Sequence, residues 1–305
     1  MIDDHVHPFP LEYTPFEPED ITLDVGRDEA AAERRRGLAP GRLALHLMQV
    51  RLAALLGVDP DEAIVARNEK ASAHWVRWLR RLFDDADING LIIDEAVGPT
   101  EHPALSSYAD AVGRPVWHMA RIDPLVDHLI EQGASAVDIV SGVERYMADT
   151  AAGGCVAYKT ILAYRSGLGV DPTVNIEAAQ RSLDPEVPLR RRGKALRDLV
   201  LRRALACATD LGKPMQIHTG FGDSEVRLAE SDPLLLEELL RSPEGAAATV
   251  ILIHGSFPWH QKAAYLAATK AKPKSIPAVT PPPVTRLRSN TTRSFAYVRA
   301  RSMNQ

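Results

Sequence analysis

Short apolar runs recur along this chain at intervals long enough to hold a helix, and that rhythm constrains the fold more than any other feature. Gly90-Leu-Ile-Ile-Asp94, Pro115-Val-Trp-His-Met119, Cys155-Val-Ala-Tyr-Lys-Thr-Ile161, Pro214-Met-Gln-Ile-His218 and Thr249-Val-Ile-Leu-Ile-His254 are such runs, and Met1 to His7 precedes them. Most are continuously apolar rather than alternating, as expected of strands covered on both faces. Helical stretches fall between most of them: Pro124 to Gln132, Val137 to Thr150, Leu189 to Leu211 and Pro233 to Arg241, with Trp259 to Thr269 after the last. Six strands in a strand-then-helix order predict an α/β fold, either a parallel sheet or a (β/α) TIM-type barrel. The barrel reads as incomplete at its C-terminus, because strands 7 and 8 are not readable after Ala268.

The first strand stops at Pro8 and Pro10, and two helical patterns follow, about Gly41 to Leu56 and about Asp59 to Phe83. In the first, Leu43, Leu47, Val50, Ala53 and Ala54 supply an apolar stripe. In the second, Asp59 and Pro60 stand as cap and first helical residue. These patterns read as a helical insertion over about residues 20–84 within one unit spanning residues 1–268.

Charge separates the rest of the chain from that unit. Residues 269–305 hold eight Lys or Arg and no acid, leaving 28 basic and 40 acidic residues, a net of −12, in residues 1–268. An acidic body of this size argues against a nucleic-acid or anionic-membrane surface, since both select a positive field. No apolar run approaches the roughly 20 residues of a membrane helix. Cys155 and Cys207 form no CxxC pair, so neither a disulfide framework nor a cysteine zinc site is expected, and a reducing cytoplasm is the expected compartment. The expected partner is a small molecule, with self-association left open. The basic, proline-containing tail has three readings: an arm for an acidic partner, a disordered extension, or translation out of frame. Its abrupt loss of acids fits the last best. A parallel barrel without two of its strands would have open edges, which predicts weakened metal binding and low turnover.

The chemistry-bearing residues fall at strand ends. His5 and His7 are two apart, which on a strand puts both imidazoles on one face. Alone, the pair is as compatible with two surface histidines as with a metal site. His218 and His254 also end apolar runs, and Lys159 sits late in another. In a (β/α) barrel all such ends open on one mouth, so residues far apart in sequence converge. Arg165 and Asp223, just beyond two of these strands, are candidate substrate contacts, each with an ordinary structural alternative as surface arginine or loop cap. His118 reads as a satisfied core histidine.

The runs HVH at the start, AYKTILAYRSGL around Lys159, QIHTGFGD around His218 and LIHGSFPWHQKAAYLA around His254 resemble the amidohydrolase superfamily of metal-dependent barrel hydrolases. More narrowly they resemble the branch holding the amidohydrolase half of nodulin and glutamine-synthetase fusion proteins and, further off, carboxymuconate semialdehyde decarboxylases. The resemblance spans Met1 to Ala268 in motif order. It implies His5, His7 and His218 as ligands of a divalent metal, zinc first and manganese or iron as alternatives. It implies His254 as a second-metal ligand or the group that polarises the substrate carbonyl. Lys159 falls where some members carry a carboxylated lysine and others no ligand; a charge partner for a substrate carboxylate is equally compatible. Hydrolysis of an amide-type bond by a metal-activated water is the implied reaction. A metal-dependent decarboxylase and a catalytically impaired remnant acting as an interaction partner are the alternatives. The family's general base, an aspartate after an eighth strand, has no readable match in this chain.

Overall fold

The computed structural model describes residues 1–21, 29–96, 103–189, 191–222, 225–270 and 297–299. Six parallel strands follow one another in chain order across one sheet: β1 (Ile2–Val6), β2 (Gly90–Asp94), β3 (Val116–Arg121), β4 (Ala157–Thr160), β5 (Met215–Ile217) and β6 (Thr249–Leu252). Sequential order with helical crossovers is the wiring of a barrel wall. The wall curls: Gln216 Nε2 on β5 donates to the Asp4 carbonyl on β1 at 2.6 Å, and the His5 and His254 rings lie 5.6 Å apart. A further strand, β7 (Tyr297–Arg299), pairs antiparallel with β6. It falls in the basic tail, where the sequence suggests no strand, and it runs opposite to the seventh strand of a barrel. The reading of the tail as disordered otherwise concerns residues outside those described.

Between β1 and β2 lie α1 (Glu29–Leu38), α2 (Leu43–Leu56), α3 (Ala63–Ala73) and α4 (Trp75–Asp85). The crossovers that follow carry α5 (Leu105–Val112), α6 (Asp123–Glu131), α7 (Ala136–Ala152), α8 (Ile176–Arg181), α9 (Lys194–Asp210), α10 (Glu237–Arg241) and α11 (Pro243–Ala247), and α12 (His260–Lys270) follows β6. Two expectations for the insertion need correction. The second helical pattern is broken at His74 (φ −154°, ψ 76°) into α3 and α4. The predicted stripe of α2 is mostly outward: Leu43, Leu47, Val50 and Ala54 are exposed and Ala53 alone of the five is buried, beside Leu45 and Leu52. The helix is apolar around most of its circumference, so periodicity could not choose the face. Leu52, Ala53, Ala63, Ala71 and Trp78 form a small core of the insertion's own.

Within the wall, alternate residues serve two layers. Ala120, Tyr158, Met215, Ile217, Val250 and Leu252 join Ile139, Met147, Leu201 and Leu205 in the main core between sheet and helices. Residues of the other phase point to the barrel interior, and the candidate site is built from that phase.

Candidate metal centre at the strand ends

The register carries the inward phase from strand to strand. Asp94 pairs with Met119, Arg121 with Lys159, and Lys159 with Gln216. Two residues beyond Met119 is Arg121, and two beyond Gln216 is His218, so Asp94, Arg121, Lys159 and His218 share one face. β1 joins this set through a bulge. Ile2 and Asp3 pair with Gly90 and Leu91, whereas Val6 pairs with Ile93, a shift of one residue. A one-residue slip exchanges the two faces of a strand, and bulges are used to re-aim side chains. Continued without it, the register would put Asp4 and Val6 in phase with Asp94. With it, His5 and His7 take that phase.

The resulting contacts are short. One ligand atom each from His5, His7 and Asp94 can be chosen so that all lie within 4.8 Å of one another. Lys159 Nζ is 2.8 Å from His5 Nε2 and 3.8 Å from Asp94 Oδ2. Asp94 Oδ2 accepts from Arg121 Nε at 3.1 Å and from the same guanidinium's Nη2, and Asp94 Oδ1 accepts from the Ala96 amide at 3.2 Å. His254 Nε2 lies 3.0 Å from His218 Nδ1. His254 follows β6 with φ 64°, a left-handed conformation rare for a residue with a side chain. That turn lays its ring over His218, with centroids 4.4 Å apart. Buried His218 Nε2 has no hydrogen-bond partner among the described residues.

Burial dominates the electrostatics. It pushes the His218 imidazole down to about 2, helped by His254, and that of His254 down to about 3, helped by the Lys159 charge. His5 moves in the same direction through desolvation and the adjacent Lys159. Desolvation lowers Lys159 itself to about 7, against the pull of Asp94. The imidazoles are therefore neutral at pH 7, the form that ligates metals.

The loop after β5 closes over these rings. Gly220 takes φ +73°, and a Cβ there would meet the Phe257 carbonyl at 2.4 Å. A Cβ on Gly222 would stand 1.9 Å from Tyr164 Oη and 3.2 Å from His218 Nε2.

Of the residues singled out from sequence, His5, His7, Lys159, His218 and His254 converge. Arg165 instead gives its Nε to Asp127 on α6 at 2.8 Å, a carboxylate that also takes Arg197. Asp223 lies outside the described residues. His118 is not a core histidine: it is half-buried, 3.3 Å from the Glu95 carboxylate. Asp94 and Arg121 were not anticipated. Asp94 carries the same signal as His218, a polar residue ending an apolar run. Arg121 was missed because the expected strand stopped at Met119, two residues early.

A parallel half-barrel with imidazoles, a carboxylate and two cations at its C-terminal rim defines a (β/α)-barrel protein equipped for metal chemistry. Residues 180–272, which include His218 and His254, match the amidohydrolase family. A stretch of 126 residues is 33% identical to protein fluG of Emericella nidulans, covering 37% of this chain and 14% of that protein's length. The fold is shared with a crystal structure described as a metal-dependent hydrolase from Lactobacillus casei, with TM-score 0.70 and 23% identity over 88% of this chain and 70% of the other. The first two matches make parts of this chain similar to amidohydrolases, and the third shows a shared fold. His5 and His7 lie outside the family match and rest on geometry alone.

Proposed function

We propose that this chain is a metal-dependent hydrolase acting on a carbon–nitrogen bond of a small molecule. The observation that carries the reading is the convergence of neutral imidazoles and a carboxylate from β1, β2, β5 and β6 at one rim. The donor set fits a divalent cation: nitrogen and oxygen ligands suit zinc, manganese or iron, and His218 Nε2 is a buried polar atom whose hydrogen-bonding capacity no described residue meets. His5, His7 and His218 would hold the ion. A cation so bound supplies Lewis acidity and a water activated near neutral pH. His254, whose Nε2 lies 3.0 Å from His218 Nδ1, would polarise a substrate carbonyl. Arg121, joined by Lys159 in its protonated form, would favour negative charge developing on a substrate oxygen.

The test is the metal content of the purified full-length chain beside a His5→Ala, His7→Ala double variant, followed by a panel of small amides. Near-stoichiometric zinc, manganese or iron lost in the variant, with ammonia or amine released, is the expected result. Carbon dioxide as the product would select the decarboxylase reading, and absence of metal from both proteins would overturn the proposal.

A further inference from the structure

We infer that Asp94 is itself a metal ligand, so that β2 supplies the carboxylate of the centre; this rests on the metal-dependent reading above. The first support is distance, since its carboxylate closes a set with His5 and His7 whose donor atoms lie within 4.8 Å of one another. The second is the bulge. The one-residue shift between Asp3 and Val6 puts the two histidines in phase with Asp94, where an unbroken ladder would have turned them to the opposite face. The third is the way Asp94 is held. It is wholly buried, oriented by the Ala96 amide on one oxygen and by Arg121 on the other, as ligating carboxylates are by the groups behind them. Each carboxylate oxygen has two lone-pair directions, so these bonds leave room for an ion. Arg121 then acts as a positioning residue for the ligand. A carboxylate that merely neutralised Arg121 would require neither the phase shift nor the two imidazoles beside it.

The experiment titrates zinc, and separately manganese, into the full-length chain and its Asp94→Asn variant against a chromophoric chelator. Removing an outer-sphere partner of a metal ligand costs roughly 10–100-fold in affinity. Loss of more than about 100-fold in Asp94→Asn is the result expected of a ligand. A smaller loss would overturn the inference while leaving the metal-dependent reading intact, and a wild-type chain that binds neither metal would overturn both. If Asp94→Asn does not fold, Arg121→Met decides. Arg121 is then the group behind a ligating carboxylate, so its loss must weaken zinc binding by roughly 10–100-fold relative to the wild type. Unchanged or tighter zinc binding in Arg121→Met would overturn the inference.

Discussion

Gly222 is the residue on which the centre's tolerance is narrowest. A methyl group there would overlap Tyr164 Oη at 1.9 Å and press on His218 Nε2 at 3.2 Å. Something must shift, and what stands nearest is the phenol and the His218 ring. Gly222→Ala is expected to weaken metal binding by about 10-fold or more, with part of the loss recovered when Tyr164→Phe is added. Competition with a chelator measures both; unchanged affinity in the single variant would show that the loop yields freely. On the other side of β4, Tyr158 is fully buried and donates to the Met147 carbonyl at 2.5 Å. Burial pushes its phenol up to about 12. The unfolded chain loses that proton near pH 10, so the fold retains it over a range where the unfolded state does not. Its contribution to stability is complete below about pH 10 and declines as pH rises towards 12, by about 3 kcal/mol in all. Denaturant titrations across this range are expected to show the decline in the wild type and a shallower one in Tyr158→Phe. Parallel slopes would contradict the assignment.

At the scale of elements, the strands were legible and the faces of the helices only partly so. Five internal apolar runs each became a strand, with ends displaced by two residues at most, because strands covered on both sides need apolar residues in either phase. His218 and Lys159 could be placed for the same reason. The one-residue bulge in β1 leaves no mark in composition or periodicity, so the pairing of His5 and His7 with Asp94 could not be derived from spacing. α2 shows the complementary failure, since a helix apolar on several sides does not say which one is buried. The cap expected at Asp59 makes no side-chain bond to the turn at Pro60–Glu62, whereas α7 carries a cap that the sequence reading did not name. Ser135 Oγ accepts from the Asp138 amide at 3.2 Å and donates to the Asp138 carboxylate at 2.6 Å, closing the start of α7. Ser135→Ala is expected to cost about 1 kcal/mol, a fall of about 2–4 °C in melting temperature. No change by calorimetry would mean that water satisfies those amides equally well.

Across the whole molecule, the centre joins parts of the wall that the ladder alone holds loosely. Among the described residues β1 has one strand neighbour, β2, and β5 reaches it through the bond from Gln216 to the Asp4 carbonyl. His5 and His7, Asp94 and His218 come from β1, β2 and β5, so an ion held between them would tie the first strand to the far side of the curl. The unfolded chain offers these donors far apart, and binding therefore adds directly to folding free energy. At a free metal concentration of 100 times the dissociation constant the gain is about 2.7 kcal/mol. At about 2–4 °C per kcal/mol for a domain of this size, zinc should raise the melting temperature by roughly 5–10 °C, and a chelator should reverse the rise. The His5→Ala, His7→Ala variant should melt at one temperature with or without metal. A wild type equally indifferent to chelation would mean that the histidines meet at the rim without holding an ion.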